Sequence, residues 1–413
     1  MENNNSARQT GILVKTYVLM HANDVVAIAR RGEDVEVKLS EKLPFGLRSE
    51  SPDFEYFMSW LNKRVNNLQR TYMNKVYLAR KVGRELEHIL RDSCALSITD
   101  QFWINRSDID MSWEKLQERR DQNEILSNVA LTGNTANLDW ETAKEGTTSL
   151  FATKGVFPKA IRGNTILKLG GTPEREWITT AIGKRLGLPV QDVAILNPSI
   201  SNNRNADGAW SKEILELKNS SQSIVIDDTL VGISLFTSDK ASFVHAAELF
   251  ATHPRLADYV NQDPFAPDYG EHHRHFYDWL PSEELKREFE RILMLNWLVS
   301  NHDMHAENYG CLYNPETFEI IGVAPSFDHN RAEFDSNPPD IDTPDIVTSG
   351  IEHHGDVIEK IETGELDALL EELKEWLLPE QKACVRSVGE TLVNMFREKV
   401  KNITPLTITN HKA

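Results

Sequence analysis

The sequence predicts an α+β fold, and three observations along its 413 residues carry that expectation. Short β-branched runs cluster near the start, a strand-helix-strand-strand order fills residues 151–235, and helical periodicity dominates from about residue 241. Composition agrees: 40% hydrophobic and 26% charged residues describe a globular chain long enough for two or three packed units.

ILVKTYVLM, VVAIA and VEVKL read as three strands separated by the turn residues of HAND and RRGED, which makes a small β-meander. After LPFGL, Ser51-Pro52-Asp53 supplies a helix start, and Phe54, Phe57, Met58 and Leu61 fall on one face. Helix then dominates to about residue 95. SITDQFWI fits a further strand, whereas NVALTGNTANLDWETAKEGTTS, rich in small and polar residues, fits a mobile connection. TILKLGG reads as a buried strand ending in glycines, EREWITTAIGKRLGLP as an amphipathic helix, and VAILN and SIVIDD as strands.

The second half opens with ASFVHAAELFATH and SEELKREFERILMLNWLVS as helices, with GEHHRHF as a polar loop between them. CLYNP and FEIIGVAPSFDHN form a hairpin turned by Asn314-Pro315-Glu316-Thr317, and two C-terminal helices follow around ELDALLEELKEWLL and CVRSVGETLVNMFREKV. These changes of character divide the chain into 1–95, 96–235 and 236–413.

Charge narrows the function. A formal net charge of -18 makes the molecule a poor electrostatic partner for nucleic-acid backbones or anionic membranes, so small or protein substrates are expected instead. No run approaches the roughly 18 apolar residues of a membrane span, and MENNNSARQT lacks the basic-then-apolar pattern of a leader. Cys94, Cys311 and Cys384 are far apart without CxxC pairing, which suggests neither zinc nor a disulfide framework and fits a reducing cytoplasm.

The chemistry concentrates in SNHDMHAENYG, residues 300–310. Asp303 and Asn308 are separated by four residues, and Asp328 follows at the end of an apolar strand: the Asp-x4-Asn, hairpin, Asp order of a protein-kinase core. A phosphoryl donor carries several negative charges and needs Mg²⁺, whose hard oxygen ligands an Asn carbonyl and an Asp carboxylate can provide. A separate carboxylate, Asp303, is placed to meet the nucleophilic hydroxyl as it loses its proton. By itself the pattern also fits a solvated loop capping a helix. Independent support lies upstream: Lys168 in the apolar TILKLGG strand suits the α- and β-phosphates, and Glu176 in the following helix suits its orientation. Lys168 alone also fits an edge-strand side chain reaching water.

ILKLGG, EREWITTAIGKRLGLPVQDVAIL, SIVIDD, NWLVSNHDMHAENYG and VAPSFDHN together resemble the HipA-type serine/threonine kinases over roughly residues 150–335. The resemblance is most specific in the Asp303-x-His305-x-x-Asn308 loop, and the N-terminal meander with LPFGL resembles the β-rich extension of those kinases. It implies a reduced protein-kinase-like two-lobed fold, with an N-terminal β-meander extension and a mostly helical C-terminal lobe. It further implies ATP and Mg²⁺ as cofactors, Lys168 and Glu176 at the phosphates, Asp303 as base, and Asn308 and Asp328 as metal ligands. His305 shares the catalytic loop, with bracing by hydrogen bonds as its expected role.

The GxGxxG loop of eukaryotic kinases is absent before Lys168. By position, Lys154, Gly155 and Val156 form the phosphate-covering loop in its place, although a simple surface turn fits equally, and Ser149 and Thr153 are the candidate autophosphorylation sites. Ile226, Asp227 and Asp228 are placed like the hinge that meets adenine, and equally like a turn. The segment Glu333 to Asp345 occupies the place of an activation loop but also fits a solvated acidic loop. Histidines at 272, 273, 275 and 302 read as solvated or structural, since no HExxH or cysteine cluster supports a metal. A HipA-like chain implies a protein substrate and a small antitoxin-like partner. The rivals are a kinase acting on a lipid or small alcohol, and a catalytically silent ATP-binding module.

Overall fold

The computed structural model describes residues 16–48, 52–65, 70–105, 111–136, 138–153, 155–196, 230–252, 269–335 and 343–403. The N-terminal meander is present as β1 (Thr16–His21), β2 (Asp24–Arg30) and the short β3 (Glu36–Val37). A fourth strand, β4 (Phe102–Asn105), pairs antiparallel with β1 and completes the order β3-β2-β1-β4. The sheet therefore draws on both sides of the 95/96 boundary expected from composition. Alternation buries Tyr17 and Leu19 of β1, and Tyr17 meets Phe54 and Phe57 of helix α1 (Phe54–Val65), which buries Phe57, Leu61 and Val65 in the same apolar cluster. Asp53 starts α1, its Oδ1 accepting the Tyr56 amide proton at 2.7 Å.

Helices α2 (Met73–Arg80) and α3 (Leu86–Ser93) follow, then α4 (Trp113–Arg119) and α5 (Glu124–Thr132). The small-residue stretch expected as a connection, which begins at Asn128, thus contributes the second half of α5 to the fold. Asn123 caps that helix through the Leu126 amide, Gly133 closes it at φ 66, and it buries Leu126, Val129, Ala130 and Leu131. Burial of that face outweighs a composition that resembles linker.

A second antiparallel sheet, ordered β5-β6-β8-β7, joins Lys159–Arg162, Thr165–Leu169, Leu230–Ser234 and Val193–Ile195. Helix α6 (Pro173–Leu186) leaves β6 with Pro173 in its first turn and ends at Gly187, φ 76. The third sheet corrects the helical expectation for ASFVHAAELFATH. Ser242–His245 is strand β9, and the Ala246–Thr252 helix begins only after it. Long-range pairing overrides local pattern here, because β9 lies antiparallel to β10 (Gly310–Tyr313), itself paired with β11 (Ile320–Val323). Gly310 makes the approach feasible, since a Cβ at that position would collide with the Val244 carbonyl.

GEHHRHF is likewise not a loop: it lies within the Tyr269–Trp279 helix, where Phe276 packs against Phe289 of the next helix with ring centroids 4.8 Å apart. That next helix, Glu283–Leu298, is capped by Ser282 and buries Phe289, Ile292, Leu293 and Leu295. Thr343–Gly350, Gly355–Glu362, Glu365–Glu372 and Pro379–Ile403 complete the helical C-terminal lobe. One continuous apolar cluster runs from Tyr17 to Val393. Among the described residues, no helix is long and apolar enough to cross a membrane.

Candidate active site

Lys168 of β6 is 1% exposed, and a buried ammonium persists only with partners. It has two, from different parts of the chain. Its Nζ donates to Glu176 Oε1, in the first turn of α6, and to Asp328 Oδ1 at 3.0 Å. Burial draws the ammonium's pKa down, but Asp328 and Glu176 outweigh it and hold Lys168 above the usual lysine range. At Asp328, burial pushes the carboxyl up while Lys168 and Lys159 prevail and keep it well below the carboxylate range. Asp328 stands in the left-handed region at φ 57 and keeps 27% of its side chain exposed.

The loop carrying Asp303 and Asn308 is held by its own hydrogen bonds. Asn308 Nδ2 donates to the Asp303 carbonyl at 2.7 Å, and the Asn308 amide donates to the His305 carbonyl at 2.7 Å. With the amide nitrogen occupied, the carboxamide oxygen of Asn308 is the atom suited to a metal. His305 Nδ1 accepts the Glu307 amide proton at 3.2 Å, the bracing contact expected of it. Asp303 Oδ1 lies 3.4 Å from Nη1 of Arg331, which follows Asp328 along the chain.

A buried polar chain ties these two loops together. His329 Nε2 meets Ser326 Oγ at 2.8 Å, Asn296 Nδ2 donates to the same oxygen at 2.8 Å, and Asn301 Nδ2 donates to Asn296 Oδ1 at 2.8 Å. Asn301 Oδ1 then accepts the Asp303 amide proton at 3.2 Å. All four side chains are buried, and burial lowers the His329 pKa to about 4, so its ring is neutral near pH 7. Two further histidines hold carbonyls of the Asp303–Asn308 loop: His273 through Met304 O at 2.9 Å and His245 through Glu307 O at 2.7 Å. His302 turns elsewhere, its Nε2 lying 3.8 Å from Asp335, with Glu333 beside them.

Lys159 is the site residue that the sequence reading missed. It lies directly opposite Lys168 in the β5–β6 pair, which puts both side chains on one face. The signal was present in the two-residue turn Gly163-Asn164, which fixes the register and therefore sets Lys159 against Lys168. Burial lowers its pKa to about 8, against the raising effect of Asp328. Gly155, at φ 99, lies over this lysine, and a Cβ there would come within 2.6 Å of Nζ. Val156 is half exposed.

Lys154, Ile226, Asp227 and Asp228 lie outside the described residues. Ser149 is fully buried, donating from Oγ to Asp121 Oδ2 at 2.5 Å, and Thr153 Oγ1 donates to the Ser149 carbonyl at 3.1 Å. Both hydroxyls therefore serve as internal struts in this conformation.

No protein-family model matches the sequence, and neither does any curated protein. Solved structures do match. HipA of Shewanella oneidensis MR-1, determined with HipB and its operator DNA, covers 93% of this chain and is itself covered to 97%, with a TM-score of 0.50 at 11% identity. The chain has a HipA-like fold. The Helicobacter pylori proinflammatory kinase CtkA covers 60% of the chain, with 94% of its own length aligned, a TM-score of 0.31 and 12% identity. At such identities the HipA likeness speaks for the fold, and the chemistry rests on the residues just described.

Proposed function

We propose that this chain is an ATP- and Mg²⁺-dependent serine/threonine protein kinase. The observation that carries the reading is the buried Lys168, joined to Glu176 and Asp328, with the turn that carries Asp328 tied through Ser326 and His329 to the loop of Asp303 and Asn308. A purely structural ion pair has no need of a second lysine, a partly exposed carboxylate and a carboxylate-bearing loop held beside it.

The donor set fits the cofactors. Lys168 and Lys159 present two cations to the phosphates, and Gly155 lies over Lys159. The carboxamide oxygen of Asn308 and the carboxylate of Asp328 are hard ligands of the kind Mg²⁺ takes. Bound Mg²⁺ supplies neutralisation of the phosphate charge. Asp303 accepts the proton of the substrate hydroxyl, with the Arg331 guanidinium 3.4 Å from its Oδ1. Lys168 orients the phosphates because Glu176 fixes its ammonium.

Labelled ATP incubated with the protein and a cell lysate tests the reading. Wild type is expected to transfer label to protein and Asp328→Ala to transfer none; equal transfer by both overturns the assignment. A small antitoxin-like partner is part of the same proposal, with any DNA contact made through that partner, since a net charge of -18 disfavours direct contact.

Lys159 gives the proposal a pH dependence. Its lowered pKa of about 8 means that the nucleotide-free protein loses this charge as pH rises through that value. ATP affinity is therefore expected to be constant below about pH 7.5 and to fall up to tenfold per unit above about pH 8.5. Lys168, held above its usual range, does not contribute to the decline. Titration calorimetry across the range should find this alkaline limb in wild type and not in Lys159→Met.

A further inference from the structure

The phosphate loop is gripped from outside its own lobe by two consecutive residues of the N-terminal helical region. Arg70 is 3% exposed, and its guanidinium donates through Nη1 to the Thr153 carbonyl at 3.0 Å and through Nη2 to the Leu150 carbonyl. Thr71 donates twice to the Val156 carbonyl, from its amide at 2.8 Å and from Oγ1 at 2.9 Å. Carbonyls on either side of residues 154 and 155 are thus tied to a single point of the chain. Beneath them Phe151 packs on Tyr77 of α2, with ring centroids 5.1 Å apart, so the root of the loop belongs to the same support.

The contacts do more than restrain. A trans peptide is planar, with its C=O and N–H pointing in opposite directions, so a carbonyl held on one side aims the adjoining amide to the other. Thr71 holds Val156 O and so turns the Phe157 amide away from the N-terminal region. Phe157 itself lies over Lys168, whose Nζ is 5.7 Å from the ring centroid, which puts this segment beside the site's cation. Preset amides of this kind bind anions without reorganisation, and their affinity depends on how firmly they are held.

We propose that Arg70 and Thr71 are positioning residues that hold residues 150–153 and 155–157 in a phosphate-binding shape and thereby set affinity for the phosphates of ATP. The proposal rests on the kinase reading above. It also links the N-terminal region to the site reciprocally: whatever displaces residues 70–71 weakens ATP binding, and bound ATP stiffens residues 70–71.

The test uses the full chain as wild type, Arg70→Met, Arg70→Lys and Thr71→Val. Two quantities are read: amide hydrogen exchange over residues 150–156 without nucleotide, and affinity for Mg-ATP and for adenosine. Arg70→Met is expected to speed exchange in that segment and to weaken Mg-ATP by about tenfold, with adenosine affinity unchanged. Arg70→Lys, which can satisfy one carbonyl, should fall between Met and wild type. General destabilisation would weaken both ligands, so the split isolates positioning. Should Arg70→Met fail to fold, Arg70→Lys and Thr71→Val carry the same two measurements. Wild-type exchange rates and Mg-ATP affinity within twofold of wild type in the folded variants overturn the proposal. If wild type itself does not bind Mg-ATP, the kinase reading fails and the role in phosphate binding with it, while the exchange data alone decide whether the clamp exists.

Discussion

If the proposed kinase reading holds, Asp303→Asn is expected to lower the rate of phosphoryl transfer by about 10²–10⁴, the range lost when a positioned general base is removed. The fold should survive almost unchanged. The Asp303 side chain makes its contact with Arg331, which is 62% exposed, and an ion pair of that kind contributes about 0–1 kcal/mol. The hydrogen bonds organising the loop use the backbone of Asp303, which Asn retains. Initial-rate assays with labelled ATP, run beside thermal melts, separate the two effects. A melting temperature within a few degrees, a near-wild-type affinity for ATP and a collapsed rate are expected together. A rate that does not change removes Asp303 from the role of base.

Lys168→Met has the largest expected effect on stability. It leaves Glu176, 1% exposed, without the cation that justifies its burial, and breaking a buried pair from one side costs about 3–5 kcal/mol. Removing both charges, as in Lys168→Met/Glu176→Met, should recover much of that loss, because an apolar pair of similar volume tolerates the same site. Activity should not recover in either protein. Chemical denaturation of wild type, the single variant and the double variant therefore separates the structural cost from the catalytic one. Equal stabilities of single and double variants would show that Glu176 is not the dependent partner.

How far the chain could be read in advance follows from the range of the interactions involved. The strand carrying Lys168 and the helix start carrying Glu176 lie close in sequence, and the loop of Asp303 and Asn308 declares itself within eleven residues. The hairpin that returns to Asp328 has turn chemistry of its own, with Asn314 Oδ1 accepting the amide protons of Glu316 and Thr317. What escaped depends on partners far away. Ser242–His245 becomes a strand because β10, some seventy residues later, pairs with it. The polar GEHHRHF is helical because its Phe276 meets Phe289 and its His273 meets the Met304 carbonyl, neither visible in local periodicity. No local pattern marks Arg70, whose guanidinium is buried against the carbonyls of Leu150 and Thr153, eighty residues away.

The polar chain from His329 through Ser326, Asn296 and Asn301 to the Asp303 backbone has a consequence for how this site can change. Its members come from one helix and two loops, and each spends its hydrogen-bonding capacity on the next. Altering one leaves a buried donor or acceptor stranded on its neighbour, with a cost of about 1–3 kcal/mol at each break. Residues 296–303 and 326–329 therefore behave as one inheritable unit. A transplant of the Asp303 loop into another scaffold would have to carry the 326–329 turn and the end of the Glu283–Leu298 helix with it.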